Sequence, residues 1–500
     1  MHHKTLAPPP IPPHPSAARA AIIRLLPLWG LLLMLALVSY PQLSRDLWTD
    51  EAYTLSYTSH PTLGALLDDV RKNEETPPIY FVSVWLWSRV FGDSEVSIRA
   101  LSMLYGAGAI LGMAEYVRRR LEPEEAAVAA LVMAAAPLLQ SYMLEARGYT
   151  MTVLLTVACV VAFERLYAQP ESRRAQLTYA LSAAALLLTS YFSVALLAAH
   201  WLISLSLLRA PSTRRGRLAG WALVHLIIAA CALPWLPSLR YQMLVAPAVT
   251  ANWSGGPRDY YFMAFGSLMG NVRPGAWLVV WLAAAAAGFT LMLAAALGRR
   301  AAGGIALRAL ALPAATLMLM VVMLHVVATR YMIVILPGSA IAAGVGFAAL
   351  RGRRPWLAWT LLALLVGGGL LVRVAAEPSD PMGAWGRLSD RVAAEADPAD
   401  DLVIFYPPWD QRIFEYYYSG PELPMAGAHH YDDFYYSQGH ALRQTWTLPE
   451  ALAAIAGHRR VWVFYDQLHH QVPPVRLPYR QIGHWQEGKL ELFLYEVTPP

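Results

Sequence analysis

Apolar residues gather in eleven long runs, roughly 22–40, 97–117, 124–143, 147–168, 175–190, 192–208, 218–238, 276–297, 309–328, 331–350 and 355–374. A helix needs about 20 such residues to cross a bilayer, so each run is an expected membrane span. The stretch Pro78–Phe91 (PIYFVSVWLWSRVF) is apolar too, but it is short and contains Arg89. It reads as an interfacial helix lying along the membrane, with Trp85 and Trp87 at headgroup level. From residue 375 the texture changes. Short runs at Leu402–Tyr406, Val461–Tyr465 and Leu490–Val497 predict strands, and Pro381–Glu395 and Pro449–Ala456 predict helices. The tyrosines around 416–418 and 431–436 read as lining a surface or a groove. The expected fold is a polytopic α-helical membrane protein of about eleven spans with a small C-terminal α/β domain.

Charge orients this arrangement. Clusters at Arg118-Arg119-Arg120, Arg173-Arg174, Arg209 with Arg214, Arg215 and Arg217, Arg299-Arg300, and Arg351 with Arg353 and Arg354 fall on one side, with Lys4, Arg19 and Arg24, if Pro78–Phe91 does not span. Short cytoplasmic loops accumulate Lys and Arg, so residues 1–21 are expected to be a disordered cytoplasmic arm and residues 22–374 the membrane portion. The loops 41–96 and 240–275 and residues 375–500 then face outward. The net charge of +5 divides accordingly: residues 375–500 hold 17 acidic and 9 basic residues (−8), leaving +13 for the rest. At 57% apolar and 15% charged the chain is far from soluble composition. Its basic clusters lack the aromatic interleaving of a nucleic-acid face. Two cysteines, Cys159 and Cys231, both in apolar runs, exclude a disulfide framework.

The outward side collects most of the remaining chemistry. Trp48-Thr49-Asp50-Glu51-Ala52-Tyr53 follows the first span, Asn73-Glu74-Glu75-Thr76-Pro77-Pro78-Ile79-Tyr80 precedes the interfacial helix, the third span runs into Glu145-Ala146-Arg147-Gly148-Tyr149, and His325 comes before Thr329-Arg330-Tyr331. A carboxylate here could serve as general base, carboxylates could hold a hard divalent ion, and arginines could grip a phosphate. Plainer readings stand beside these. Thr49 or Asp50 could cap a helix, Glu145 and Arg147 could be a boundary ion pair, Thr76-Pro77-Pro78 could start a helix, and His325 could be a satisfied helix-end histidine. His200 and His225 read as interhelical hydrogen-bonding groups.

In order along the chain, WTDEAYT at 48–54, ETPPIYF at 75–81, SIRALSMLYG at 97–106, SYMLEARGYTM at 141–151 and TRYMIVILP at 329–337 resemble the GT-C membrane glycosyltransferases. The resemblance is to the branch that contains protein O-mannosyltransferases and the aminoarabinose transferases of lipid A. It implies a polyprenyl-phosphate-sugar donor, a glycan, lipid or protein acceptor, transfer of a hexose or pentose at the outer face of the inner membrane, and inversion at the anomeric carbon. It implies catalytic roles for Asp50, Glu51, Glu75 and Glu145, with Asp50 as the acid that activates the acceptor. Contacts to substrate or phosphate would come from Arg147, Tyr149, Arg330, Tyr331, Arg99 and Tyr80. A divalent cation, Mg2+ or Mn2+, would take ligands from Asp50, Glu75 and His325. One departure is Thr76, where many relatives have His before the double proline, and this weighs against a metal ligand there. The rival class is a lipid or sugar transporter or flippase. It calls for charges near mid-bilayer and an internal repeat with broken helices, whereas here charges gather at one face.

Overall fold

A computed structural model describes residues 42–74, 76–205, 214–240, 307–324, 329–375, 384–406, 410–429, 445–466 and 477–497, with a few positions between 29 and 40 and between 290 and 304. The expected arm at 1–21, the spans at 22–40 and 276–297 and the loop at 240–275 lie wholly or largely outside the described residues. After the first expected span come three short helices, α1 (Thr49–Ser56), α2 (Leu63–Asn73) and α3 (Ile79–Phe91). The α3 helix is the expected Pro78–Phe91 element. Its 13 residues reach about 20 Å at 1.5 Å each, too short for a hydrocarbon core of about 30 Å.

The membrane-type helices follow as α4 (Glu95–Arg118), α5 (Pro123–Ala135), α6 (Pro137–Met143), α7 (Tyr149–Ala168), α8 (Arg173–Leu187), α9 (Val194–Ser204), α10 (Arg214–Ala232), α11 (Leu312–Leu324), α12 (Leu336–Arg351) and α13 (Pro355–Ala375). Among the described residues four helices are long and apolar enough to cross a membrane, Glu95–Arg118, Tyr149–Ala168, Ala219–Arg240 and Arg330–Arg351, and a fifth if α5 and α6 form one span. The shorter apolar helices Tyr191–Ser204, Arg308–Met320 and Pro355–Leu371 occupy places where further spans are expected.

The expected span 124–143 is bent by 58° between α5 and α6. Pro137 is the cause: it has no N–H to donate, and its ring excludes the carbonyl four residues back. Ala136 before it is extended (φ −65°, ψ 118°), as a residue preceding proline tends to be. Gln140 Nε2 donates to the Ala134 carbonyl at 2.9 Å, recovering a backbone acceptor near the break. The bend leads directly into residues 144–148, where Glu145 and Arg147 sit.

One apolar core runs through α4, α5, α7, α8, α12 and α13. It depends on small residues where backbones approach. A Cβ on Gly344 of α12 would collide with the Glu125 carbonyl of α5, and one on Gly338 with the Ala309 carbonyl.

The tail contains α14 (Ala384–Glu395), β1 (Asp401–Tyr406), α15 (Gln411–Tyr417), β2 (Met425–His429), β3 (Thr445–Thr447), α16 (Leu448–Ile455), β4 (Arg460–Asp466), β5 (Arg480–Glu487) and β6 (Leu490–Glu496). The strands form one six-stranded sheet in the order β3-β2-β1-β4-β6-β5, parallel from β3 to β4 and antiparallel at β6 and β5. The near-continuous apolar runs of β1, β4 and β6 reflect burial on both faces. Val403, Phe405, Trp462 and Phe464 pack with Trp385, Leu388 and Phe414 of α14 and α15 on one face. Leu402, Ile404, Val461 and Val463 pack with Ile455 on the other. The β5–β6 hairpin turns through Gly488 and Lys489, with Gly488 at φ 63°, a conformation L side chains resist.

Candidate functional site

The site is assembled where α1, the end of α2, the start of α4 and the α6–α7 turn meet. At its base lies an ion pair in which both side chains are fully buried, Glu51 of α1 and Arg99 of α4. Arg99 donates Nε to Glu51 Oε1 at 2.8 Å and Nη2 to Oε2 at 2.6 Å. Its other donors reach the carbonyls of Leu43 (2.7 Å), Arg45 (2.6 Å) and Asp46 (3.1 Å). Five N–H groups thus meet five acceptors, the full capacity of a guanidinium. Arg99 has no donor left for a phosphate, which corrects the expectation placed on it. Glu51 also accepts from the backbone N–H of Ala146 at 2.9 Å and of Trp48 at 3.4 Å. The Trp48 contact is half of a capping box. Burial by itself would raise the Glu51 carboxyl, but Arg99, Arg45 and the Ala146 N–H hold it below the ordinary value. Glu51 is therefore a buried anchor between the first loop and the α6–α7 turn, closed to solvent and fully engaged, in place of the catalytic role expected of it.

Arg147 occupies the middle of the site. It donates Nη1 to Glu74 Oε1 at 3.1 Å and Nη2 to Oε2 at 3.4 Å. Its Nη1 also lies 3.4 Å from the Asp50 carbonyl and 3.5 Å from Thr54 Oγ1, and its Nε lies 3.9 Å from Asp50 Oδ2. Burial pushes the Glu74 carboxyl up by more than Arg147 and Thr76 pull it down. Asp50 differs from its neighbours in exposure, with 32% of its side chain open. Of the acids gathered here, Asp50 combines access with a cation beside it.

Glu145 is half-buried, yet its Oε1 is shut off from solvent without a hydrogen-bond partner among the described residues. Burial first, then the charges of Glu51 and Asp50, raise its carboxyl to about 8. It is thus largely protonated at neutral pH. Tyr142 and Tyr149 pack ring against ring at 4.2 Å, Tyr331 stacks on Phe192 at 3.8 Å, and the Arg330 guanidinium lies over the Tyr331 ring at 5.5 Å. Arg330 interacts electrostatically with Asp50, Tyr149 and Tyr142. The result is a carboxylate, two arginines and an aromatic wall at one end of the helices, a combination suited to a sugar ring bearing a phosphate.

Other expectations fall differently. Tyr80 is fully buried, bonds Ser102 Oγ at 3.2 Å and lies against Gly148, so it packs the site from beneath, where a substrate contact was expected of it. Glu75 and His325 lie outside the described residues. Glu74, adjacent to the residue nominated from sequence, is the acid found paired with Arg147. It is the first residue past α2, extended at φ −113° and ψ 143°, and that backbone direction, which turns its side chain to Arg147, is invisible in the sequence. Of the three nominated metal ligands only Asp50 is described. Among the described residues no three His, Cys, Asp or Glu side chains converge on a point that could hold a metal, Glu51 and Glu74 being engaged with arginines. The described donors by themselves form no metal site, and Glu75 and His325 lie outside them.

The α1 helix is also held from the tail. Thr49 Oγ1 donates to Asp410 Oδ1 at 3.4 Å, and the Arg412 guanidinium lies over the Tyr53 ring at 5.3 Å. Ala52 belongs to the same apolar cluster as Trp385 and Phe414. Nothing in the sequence pattern pairs residues so distant along the chain.

Residues 75–238 match the family model described as dolichyl-phosphate-mannose-protein mannosyltransferase. No curated protein matches the sequence. Among solved structures, ArnT from Cupriavidus metallidurans in the apo state is 15% identical with a TM-score of 0.62, covering 96% of this chain and 98% of that one. The same protein bound to undecaprenyl phosphate is 14% identical with a TM-score of 0.61 over the same shares. The archaeal oligosaccharyltransferase AglB from Archaeoglobus fulgidus, in complex with an inhibitory peptide and a dolichol-phosphate, is 12% identical with a TM-score of 0.50, covering 87% of this chain and 69% of that one. The chain shares the fold seen in ArnT, a helical membrane-type fold.

Proposed function

We propose that this GT-C chain is a membrane glycosyltransferase that moves a sugar from a polyprenyl-phosphate donor to an acceptor hydroxyl at the outer membrane face. The observation that carries the reading is Asp50, a partly open carboxylate 3.9 Å from Arg147 and within the field of Arg330. The fold shared with a protein that binds undecaprenyl phosphate supports a polyprenyl carrier. In this scheme Asp50 accepts the proton of the acceptor hydroxyl as the oxygen attacks the anomeric carbon from the side opposite the phosphate. The bond from that carbon to the phosphate oxygen breaks, configuration inverts, and polyprenyl phosphate leaves as an anion. Arg330 and Arg147 offset the charge gathering on the phosphate. A phosphate leaves without prior protonation, so no strong acid is required opposite Asp50. Tyr142, Tyr149 and Tyr331 supply faces for the sugar.

Asp50→Asn keeps the size of the side chain and removes its basicity. Purified in membranes and supplied with labelled polyprenyl-phosphate sugar, it is expected to lose at least about 100-fold in transfer rate, the range of a lost general base. Full transfer at normal expression would remove Asp50 from that role.

A further inference from the structure

The segment that carries Asp50 is gripped by the tail on both sides of that residue. Asp46 Oδ2 accepts from the backbone N–H groups of Trp385 (2.6 Å) and Gly386 (3.2 Å) in the first turn of α14. The Tyr417 hydroxyl, on α15, accepts from the Leu47 N–H at 2.9 Å and donates to Glu95 Oε1 at 3.0 Å. Thr49 and Tyr53 meet Asp410 and Arg412 of the tail. Beneath, the same segment is tied to α4 by Glu51 and Arg99. Tyr417 closes this frame: one hydroxyl joins the backbone three residues before Asp50 to the first residue of α4, four residues before Arg99.

We infer that Tyr417 is a positioning residue for Asp50, and that the tail sets the geometry of the reaction centre in addition to any part it plays in acceptor choice. The inference rests on the glycosyltransferase reading. Catalysis by a fixed base is steep in distance, and a displacement near 1 Å costs up to about 100-fold. Loss of the Tyr417 hydroxyl leaves the Leu47 N–H and the Glu95 carboxylate without this partner and frees the segment to shift. Donor binding through Arg330 and the aromatic wall does not involve Tyr417 and is retained.

The test is steady-state transfer by the full-length protein in lipid, with a labelled polyprenyl-phosphate sugar, for Tyr417→Phe, Asp46→Asn and Tyr418→Phe. Tyr418 donates to Pro421 O at 2.8 Å within the tail, so it undergoes the same loss of a hydroxyl without touching the loop. Expected is a fall in kcat of about tenfold or more for Tyr417→Phe and Asp46→Asn, with KM for the donor within about twofold and Tyr418→Phe unchanged. Wild-type kcat in Tyr417→Phe would overturn the inference and leave an inactive Asp50→Asn, and with it the functional reading, intact. A parallel rise in donor KM would overturn it as well, because a general loosening of the fold is then sufficient. Should Tyr417→Phe fail to fold, Asp46→Asn carries the same comparison. An active Asp50→Asn would sink the functional reading itself.

Discussion

At the scale of single residues, the carboxylates of the site separate by environment. Glu51 shares Arg99 in a pair closed to solvent, Glu74 is paired with Arg147, Asp50 is partly open, and Glu145 is raised to about 8 by burial and by Glu51 and Asp50. Linkage gives the last a sign. A carboxyl held above its unfolded value of 4.5 binds its proton more tightly in the folded state, so its contribution to stability is complete below about 4.5 and is lost as pH rises through about 8. Glu145→Gln fixes the neutral form. The variant is expected to match wild type in melting temperature near pH 4 and to exceed it increasingly up to about pH 8, levelling off above. Equal melting temperatures across that range would show that Glu145 ionises freely.

At the scale of elements, the way helices meet depends on residues too small to be seen by hydropathy. The α12 helix passes so close to α5 that a Cβ at Gly344 would strike the Glu125 backbone, and backbone cannot move aside as a side-chain tip can. Gly367 of α13 faces open space. Gly344→Leu is accordingly expected to destabilise by about 1–3 kcal/mol or more through overpacking, read as a lower melting temperature in detergent. Gly367→Leu should leave it unchanged or slightly higher, because an unstrained helical glycine costs entropy. Equal shifts in the two variants would refute the close α12–α5 contact. The same contrast bears on how much was legible in the sequence. Expected runs such as 97–117 and 147–168 coincide with α4 and α7, and the doubly buried strands β1, β4 and β6 lie where LVIFY, VWVFY and LELFLYEV were read as strands. The edge strand β5, RQIGHWQE, is mostly exposed and carries no such pattern. The short β2 and β3, five and three residues long, offer too few positions for a pattern, and the bend at Pro137 is hidden within an unbroken apolar run. Asp50 and Arg147 were visible as charges at a span boundary. Glu74 and the docking of Tyr417 were not, since each depends on a backbone direction or on a partner hundreds of residues away.

At the scale of the whole molecule, α4 relates the site to the bilayer. Its N-terminal end holds Glu95, which bonds Tyr417, and Arg99, which bonds Glu51. Its C-terminal end runs into Arg118, Arg119 and Arg120. Twenty-four residues extend about 36 Å, more than the hydrocarbon thickness of about 30 Å. The candidate site and the arginine cluster are therefore expected on opposite sides of a membrane that α4 crosses. Since Arg-rich short loops are retained in the cytoplasm, the centre and the acidic tail docked above it are expected outside. Ser94, exposed at the start of α4, and Arg119, exposed at its end, report on this directly. In a background with Cys159 and Cys231 replaced, Ser94→Cys should react with an impermeant maleimide in intact cells, and Arg119→Cys only after permeabilisation. The opposite pattern would turn the molecule over, putting Asp50 and the tail on the cytoplasmic side and requiring a donor sugar presented from within the cell. Labelling of both positions in intact cells would mean that α4 does not cross, and would remove the membrane barrier between the arginine cluster and the candidate site.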